Sequence, residues 1–507
     1  MILSLLMIVF CVSVRYSGKK SYSMKKILSG IRENYLFLII IITGVLLHFY
    51  GLGKQSVWID EIFTLRNIEC KWSEVLHTSI SLNNSPPLYY YCNKLFCSVF
   101  GYSEIALRFL SALFATLSIV MLYFFTKEIF SKKIALLSAF LLAINPLALW
   151  FAHEARNYTM VVFLLLFSLL FALKYWKTKE IKHLLLFALS AVMSTITSVQ
   201  GMAVFPLCIL FYFYSTREKK IDYVFWGVYS LLLIIALTVF VVLFSENGHV
   251  PPARNFTGLE IFYTFYCYIF GYSFGPSISE LQLSAKNALF ANKGAIVLAI
   301  FSLGTFAIFS VRKLDWKKLL PSIFFVSVFI GYAICIEMFT EHSYNVRYAF
   351  PGIIGVIICV SILFNNALER KPNGFSKKGL ILSMVFLLML SLIACYNFLC
   401  DTKYSKEMVR EAAKEIVEQD VEVLYVAPRY MDRVFFYYLQ QSDIEILPLT
   451  YKSDFDKIDF SNKNFAIATT RTHHITFYKQ MTEKLNEETF TSNQQRKLQN
   501  ISIFYSK

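Results

Sequence analysis

Long uninterrupted apolar runs are the feature that most constrains this chain. Runs such as YLFLIIIITGVLLHFY (35–50) and VFWGVYSLLLIIALTVFVVLF (224–244) recur until about residue 400. A helix rises 1.5 Å per residue, so about 20 apolar residues cross a hydrocarbon core of roughly 30 Å. Barrel strands would alternate apolar and polar residues, which these runs do not. Charged residues make up only 16% of the chain, against about 25% in soluble domains. The sequence therefore predicts a polytopic α-helical membrane protein.

The basic residues give the topology of the spans. We predict eleven spans, at 35–50, 105–126, 134–151, 159–176, 183–199, 201–216, 224–244, 294–311, 319–337, 349–365 and 379–399. Short Lys- and Arg-rich loops follow the second, fourth, sixth, eighth and tenth spans, and loops of this kind face the cytoplasm. The net charge of +15 is thus a topology signal, and we expect no nucleic-acid partner. The protein is predicted to lie in the cytoplasmic (inner) membrane with its N-terminus in the cytoplasm.

Three regions follow from this pattern. Segment 1–34 begins with a short apolar stretch and contains Met24, which precedes a basic lead into the first span. This indicates either an alternative start at Met24 or a short membrane-associated helix. Residues 35–400 form the predicted transmembrane region. Residues 401–507 form a predicted extracytoplasmic α/β domain, with helices in KEMVREAAKEIVEQ and DRVFFYYLQQ and strands in VEVLYVA and NFAIATT.

The longest loops all fall on the predicted outer face, where a functional site is expected. The first of these loops contains SVWIDEIFTL, with adjacent carboxylates at Asp60 and Glu61. Neighbouring residues on a helix or strand point in different directions, so one carboxylate could face a cavity while the other holds structure. The alternative is a solvated acid pair. The same loop contains PPLYYYCNKLF, which predicts an interfacial helix whose tyrosines anchor it at the membrane surface.

Two further polar groups lie on the same predicted face. HEARNY (153–158) follows the third span, and if its helix continues, His153 and Asn157 share one side while Glu154 and Tyr158 share another. A helix cap with a snorkelling Arg156 is the alternative.

Arg347 and Tyr348 precede the tenth span in HSYNVRYAFP. This arginine suits either a lipid headgroup or a bound phosphate. Acids, arginines and aromatic walls on one face together suit group transfer from a phosphate-linked donor.

Several of these motifs, in this order, resemble the bacterial members of glycosyltransferase family 39. They are SVWIDE, PPLYYY, GYSEIALRFLSALFATLSIVMLYFF, ALWFAHEARNY and NVRYAFPG. This family includes relatives of the protein O-mannosyltransferases and of the aminoarabinose transferase that modifies lipid A. The resemblance covers residues 36–200 closely and extends loosely to 350. It implies the GT-C fold and transfer of a sugar, with inversion, from a polyprenyl-phosphate carrier to a lipid, polysaccharide or protein.

The resemblance also implies roles for individual residues. Asp60 matches the general base of the family's first loop, and Glu61 matches the second acid of that pair. Glu154 matches an acid that orients the site or ligates a divalent cation in related enzymes. The resemblance therefore allows for Mg²⁺ or Mn²⁺, with no nucleotide cofactor. Arg156 and Arg347 would hold the carrier phosphate.

Supporting contacts to the substrate are expected from Tyr158, Tyr348 and His153. Two departures concern the substrate: many relatives carry His where this chain has Ser85, and His-Tyr where it reads TSVQGM (197–202).

Three other functions compete with glycosyl transfer. A transporter or flippase would show inverted repeats and broken helices with charges near the middle of the membrane, and we find no clear repeat. A polysaccharide polymerase or ligase would use similar donors without the first-loop acid pair. A scaffold for other envelope enzymes would tolerate substitution of every candidate site residue.

Overall fold

The computed structural model describes residues 24–83, 85–216, 222–244, 256–311, 315–339, 343–369, 374–449, 458, 464–470, 495–498 and 501–506. The apolar stretch at 1–16, predicted to be either a segment before an alternative start or a short membrane-associated helix, lies outside these ranges. Met24 itself opens the first described helix.

Helices make up nearly all of the described chain before residue 401. They are α1 (Met24–Phe49), α2 (Ile59–Glu69), α3 (Val75–Asn83), α4 (Leu88–Phe100), α5 (Glu104–Ile129), α6 (Lys132–Ala143), α7 (Pro146–Ala152), α8 (Tyr158–Thr178), α9 (Ile181–Thr195), α10 (Val204–Ser215), α11 (Tyr223–Phe244), α12 (Leu259–Phe270), α13 (Ile278–Ala291), α14 (Lys293–Ser310), α15 (Trp316–Phe339), α16 (Val346–Ala349), α17 (Ile353–Glu369) and α18 (Gly374–Cys400).

All eleven predicted spans fall on helices, and the chain is a multi-pass membrane protein. Among the described residues, seven helices are long and apolar enough to cross a membrane, and an eighth span is possible if the bent pair α6–α7 is counted as one. The other three predicted spans correspond to the shorter apolar segments Asn34–Phe49, Ile181–Thr195 and Val199–Ser215. Short helices of this kind reach across a membrane less completely than a segment of about 20 residues.

The third predicted span differs from a straight helix. The chain bends by 56° between α6 and α7. Asn145 caps α7, because its side-chain oxygen accepts hydrogen bonds from the backbone N–H groups of Leu147 and Ala148. Pro146 occupies the first helical position, where its missing N–H costs nothing. The Asn-Pro pair therefore ends one helix and starts another, and it brings the end of α7 to the site described below.

The predicted interfacial helix in the first loop is α4, but its tyrosines differ from the expected surface anchors. Tyr89 and Tyr90 are fully buried, and the Tyr89 hydroxyl lies 2.9 Å from the hydroxyl of Ser111 on α5. The anchoring prediction is wrong for these two residues, because α4 packs its tyrosine face against α5 rather than presenting it to the membrane surface.

The described part of the C-terminal region contains two α-helices and a five-stranded mixed sheet. The elements are α19 (Val409–Glu418), α20 (Asp432–Leu439), β1 (Val423–Ala427), β2 (Glu445–Pro448), β3 (Phe465–Thr470), β4 (Gln495–Leu498) and β5 (Ile501–Tyr505). The strand order is β2-β1-β3-β5-β4. β1 pairs in parallel with β2 and β3, and β5 pairs antiparallel with β3 and β4. The two helices and two strands predicted from sequence all appear in place.

This sheet region packs directly on the first loop. One apolar cluster contains Val57 and Ile62 of the first loop together with Val409 and Phe435 of the tail. The burial of apolar surface on both sides stabilises the contact. The tail is thus held against the start of α2, where the first candidate acids lie.

Candidate active site

Asp60 and Glu61 lie in the first turn of α2, after an extended Trp58. Their side chains point in different directions because successive helix positions are rotated by about 100°. Glu61 is fully buried, whereas 19% of the Asp60 side chain is exposed. The structure therefore separates the pair into one enclosed carboxylate and one that solvent and ligands can reach.

Glu61 forms a bidentate ion pair with Arg108 of α5. The Arg108 Nε and Nη2 atoms donate to the two Glu61 oxygens at 2.7 and 2.6 Å. The Ala155 backbone N–H donates to the same carboxylate at 2.9 Å. Burial raises the pKa of Glu61, but the charges of Arg108 and Lys406 outweigh burial and bring the pKa down to about 2. Glu61 is a carboxylate whose oxygens are already occupied by protein donors.

Arg108 also ties the chain before α2 to α5. Its guanidinium donates to the backbone carbonyls of Leu52, Gln55 and Ser56 at 2.7 to 2.8 Å. Arg108 was not among the residues predicted from the sequence, although a signal was available. An arginine inside a predicted span is costly unless it is paired, and Arg108 lies four residues into the span predicted at 105–126.

Asp60 pairs with Arg347, 287 positions later in the chain. The Arg347 Nη1 atom donates to Asp60 Oδ2 at 2.9 Å, and 30% of the arginine side chain is exposed. Arg156 approaches the same residue and donates to the Asp60 backbone carbonyl at 3.4 Å. The structure thus brings together three of the residues predicted from separate motifs, with the Asp60–Arg347 pair open to solvent.

Arg347 is fixed by contacts from three directions. The Asn345 side chain caps α16 by accepting from the Arg347 backbone N–H at 3.0 Å. Gln200 donates to the backbone carbonyls of Arg347 and Tyr348 at 2.8 and 3.0 Å. The Arg347 guanidinium lies 5.2 Å from the centre of the Tyr348 ring and donates to its hydroxyl at 3.3 Å. Within the described residues, the buried Nε of Arg347 has no hydrogen-bond partner.

The HEARNY segment does not continue the preceding helix. α7 ends at Ala152 and α8 begins at Tyr158, so residues 153–157 form a tight connection. The Thr64 hydroxyl donates to the Ala155 carbonyl at 2.8 Å, and the Ser111 hydroxyl donates to the Arg156 carbonyl at 3.0 Å. The connection is therefore bonded to both α2 and α5. Because the helix does not continue, the predicted sharing of one side by His153 and Asn157, and of another by Glu154 and Tyr158, does not apply.

Glu154 is buried in this connection with 2% of its surface exposed. Burial raises the pKa of Glu154 to about 7, while the positive charge of Lys406 acts in the opposite direction. Near neutral pH, the protonated and the ionised forms of the Glu154 carboxyl are therefore both populated. Perturbed acids of this kind cluster at functional sites.

His153, predicted to contact substrate, is buried beside Phe398, with ring centres 5.3 Å apart. Burial lowers the pKa of His153 to about 3, so its imidazole is neutral at physiological pH. Tyr158 is buried at the start of α8 with its ring edge against Phe151, and its hydroxyl contributes to the electrostatic environment of Arg347. Tyr158 and Tyr348 thus lie at the Asp60–Arg347 pair, whereas the described ring contact of His153 is with Phe398.

The two departures from the family pattern meet at this site. The Asn157 side chain donates to the Ser85 hydroxyl and to the Thr197 carbonyl, both at 2.8 Å. Gln200, from the second departure, holds α16 as described above. The substituted positions therefore border the 153–157 connection and Arg347.

Lys406 is a second residue that the sequence analysis missed. It lies in the segment before α19, and its side chain is 2% exposed. Its ammonium donates to the His153 carbonyl at 3.1 Å and lies 3.9 Å from Glu61 Oε1. The sequence offered no signal, because KEMVREAAKEIVEQ is typical of a solvent-exposed amphipathic helix.

The described carboxylates do not fit a site for Mg²⁺ or Mn²⁺. Such ions need several free oxygen ligands. Both Glu61 oxygens accept from Arg108, and Asp60 Oδ2 accepts from Arg347. Across the described part of the chain, no group of three or more His, Cys, Asp or Glu side chains could hold a metal ion.

Comparison with known proteins covers both sequence and structure. Residues 84–244 match the family model for dolichyl-phosphate-mannose-protein mannosyltransferase. This segment contains Arg108 and the 153–157 connection, and the resemblance predicted from the motifs is confirmed. The chain is also 28% identical over 193 residues to an uncharacterized protein of Aquifex aeolicus. The match spans 36% of this chain and 38% of that relative, well under half the length of either.

Two solved structures extend the comparison to nearly the whole chain. ArnT from Cupriavidus metallidurans in the apo state has a TM-score of 0.53 at 10% identity, and the match covers 94% of this chain and 98% of that one. ArnT bound to undecaprenyl phosphate has a TM-score of 0.52 at 10% identity, with the same coverage. The chain has the GT-C fold. Asp60 lies in the first turn of α2, Arg156 in the 153–157 connection and Arg347 in the short helix α16, at the start of the apolar segment Val346–Glu369.

Proposed function

We propose that this protein is a glycosyltransferase that moves a sugar from a polyprenyl-phosphate carrier to an acceptor, with inversion at the anomeric carbon. The observation that carries the proposal is the solvent-accessible Asp60–Arg347 pair, with Arg156 beside it. It combines a carboxylate that can accept a proton with cations that can bind a phosphate. We place the reaction at the outer face of the cytoplasmic membrane, as the distribution of basic loops predicts.

The arginines serve the leaving group. The donor is a phosphodiester, and when its bond to the anomeric carbon breaks, the carrier leaves as a phosphate monoester with one more negative charge. Arg347 presents a guanidinium that is 30% exposed, and Arg156 lies beside the same aspartate. Guanidinium groups bind phosphate bidentately and stabilise the charge that develops there. An arriving phosphate would compete with Asp60 for Arg347 and so release the carboxylate.

Asp60 serves the acceptor. A hydroxyl or amine is a weak nucleophile at neutral pH and needs a positioned base. As the acceptor atom bonds to the anomeric carbon, its proton passes to an Asp60 oxygen, and the electron pair of the broken C–O bond stays on the carrier phosphate. No general acid is needed, because the phosphate is already a good leaving group.

The two other acids take different roles in this proposal. Glu61 holds α2 against α5 through Arg108, and it positions Asp60 instead of touching substrate. Glu154, buried beside both acids, tunes the charge of the site from the 153–157 connection. The bound undecaprenyl phosphate in the ArnT structure supports a carrier of this class for the protein. The sugar and the acceptor, whether lipid, polysaccharide or protein, follow from experiment.

Mass spectrometry of surface glycans and polyprenyl lipids, in cells with and without the protein, tests this proposal. The expected result is a polyprenyl-phosphate sugar that accumulates in its absence, together with a glycan that loses the same sugar. Purified protein in vesicles should then form the glycosidic bond from that donor. Movement of lipid or solute across the vesicle without bond formation would overturn the proposal in favour of a transporter. Unchanged glycans and lipids would also contradict it.

A further inference from the structure

The segment that leads into the C-terminal sheet contributes a buried lysine to the acid cluster. The Lys406 ammonium is enclosed by Trp58 and Trp150, at 5.1 and 5.9 Å from their ring centres. It donates to the His153 carbonyl and faces Glu61. A lysine is almost never fully buried unless it is paired. This position therefore needs an explanation in terms of charge.

Glu61 is one partner of this charge: it forms an ion pair with Lys406 and affects the lysine more strongly than any other charged residue. Arg108, however, already donates two short hydrogen bonds to Glu61. Glu154 is the neighbouring buried acid, and the His153 carbonyl that accepts from Lys406 immediately precedes it. Among the charges that act on Glu154, Lys406 has the largest effect, ahead of Arg156. The lysine thus both bonds the 153–157 connection and offsets the charge of its carboxylate.

Further charged and titratable groups surround these two residues. The charges that act on Lys406 are those of Glu61, Glu154, Arg108 and Asp60, and Lys406 in turn acts on His153. The charges that act on Glu154 are those of Lys406, Asp60, Glu61 and Arg156, and Glu154 in turn acts on Tyr158 and Tyr272.

The position of Lys406 depends on how the tail docks. Arg410, four residues later in the first turn of α19, donates to the Gly53 carbonyl at 2.8 Å and pairs with Glu104 at 3.2 Å. The Ser56 hydroxyl donates to Glu411 at 2.8 Å. These bonds hold the segment against the chain just before α2, so the tail and the acids form one unit.

We propose that Lys406 is a positioning residue of the transfer reaction, which holds Glu154 and its connection in place and makes docking of the C-terminal region a requirement for a competent site. This inference rests on the proposed glycosyl transfer. Lys406 acts through Glu154 and does not touch the donor.

The first test measures the transfer kinetics of the full-length protein in vesicles, with the donor identified by mass spectrometry as substrate. The wild type is compared with Lys406→Met and Lys406→Arg. The charge of Lys406 lowers the pKa of Glu154, so removing that charge should leave less of the carboxyl ionised and cut kcat about fivefold at pH 7. The rate should recover at higher pH, with the KM for donor unchanged. Lys406→Arg keeps the charge and should keep the wild-type pH profile. Lys403→Met, in the same segment but paired with Glu280, is the matched control.

A double variant separates positioning from general loss of structure. Because Lys406 acts through Glu154, Lys406→Met combined with Glu154→Gln should be no slower than Glu154→Gln alone. Losses that multiply in the double variant, or a wild-type kcat and pH profile in Lys406→Met, would overturn the inference.

Thermal unfolding of the purified protein tests the same contact without any substrate. The pKa of Glu154 is raised in the folded protein, so its contribution to stability is present at low pH and is lost as pH rises through about 7. Glu154→Gln should flatten this loss, and Lys406→Met should move it about one pH unit higher. An unshifted profile in Lys406→Met would contradict the inference. If the wild type transfers no sugar but the shift occurs, the proposed function fails while the Lys406–Glu154 coupling stands.

Discussion

Glu61 and Arg108 form an ion pair with 0% and 1% of their side chains exposed. Removing one partner of such a pair leaves an uncompensated buried charge, which costs about 3–5 kcal/mol. Glu61→Gln should therefore lower the free energy of unfolding by about that amount. Chemical or thermal unfolding of the purified protein measures it.

An exposed pair provides the matched control for this prediction. Lys177 and Glu128 lie 2.9 Å apart with 52% and 28% of their side chains exposed. Glu128→Gln should cost about 1 kcal/mol or less. Equal losses of stability in the two variants would show that the buried Glu61–Arg108 pair stabilises the fold no more than an exposed pair does.

Arg347 should determine affinity for the carrier phosphate. Arg347→Gln should weaken binding of undecaprenyl phosphate by about tenfold or more, since one charge-assisted hydrogen bond contributes roughly 1.5–3 kcal/mol. Arg347→Lys should recover only part of the loss, because lysine lacks the planar fork. Binding can be followed by the ligand-induced rise in unfolding temperature. Arg433→Gln, an exposed arginine of α20, is the control, and wild-type affinity in Arg347→Gln would contradict the assignment.

Individual site residues were predictable where their type was unusual for their place. Asp60, Glu154 and Arg347 stood out as polar groups beside apolar runs, and Asp60 and Arg347 are in contact in the structure. Their pairing was not predictable, because no local pattern relates residues 287 positions apart. The role of Lys406 was not predictable for a similar reason. Its burial depends on the tail packing against the first loop, and no local sequence pattern indicates that contact.

At the scale of elements, α2 and the 153–157 connection supply the acids that the resemblance linked to a divalent cation. Both Glu61 oxygens already accept from Arg108, one of them also from the Ala155 N–H, and Asp60 Oδ2 accepts from Arg347. Chelation with EDTA should therefore leave the transfer rate unchanged, and added Mg²⁺ or Mn²⁺ should not raise it. A rate that collapses with EDTA and returns with either ion would show that the cluster rearranges to bind metal.

Most helices were predictable because long apolar runs have few alternatives in a membrane. The break between α6 and α7 was not predicted, although Asn145 and Pro146 form a recognisable cap and helix start. A prediction based on hydrophobicity alone gives one span at 134–151. It does not reveal the turn that brings Glu154 to the site. The burial of Tyr89 and Tyr90 was likewise missed, since aromatic composition does not distinguish a packed helix face from an interfacial one.

At the scale of the whole molecule, the C-terminal region is docked through Arg410. This side chain donates to the carbonyls of Gly53 and Lys54 and pairs with Glu104. Arg410→Met should loosen the tail and speed its cleavage in limited proteolysis, with a stability loss of about 1–3 kcal/mol. Lys414→Met, an exposed position on the same helix, should have no effect. Identical cleavage of wild type and Arg410→Met would show that docking does not depend on this arginine.

The central claim is that Asp60 is the base of a glycosyl transfer, and substituting Asp60 by Asn tests it most directly. The variant keeps the size and shape of the side chain but cannot take the acceptor proton. Full-length protein in vesicles, with the donor identified by mass spectrometry, should lose about 100-fold or more in kcat while it still binds undecaprenyl phosphate. Asp315→Asn, at an exposed acid elsewhere, should transfer normally. Transfer at the full rate by Asp60→Asn would contradict the claim.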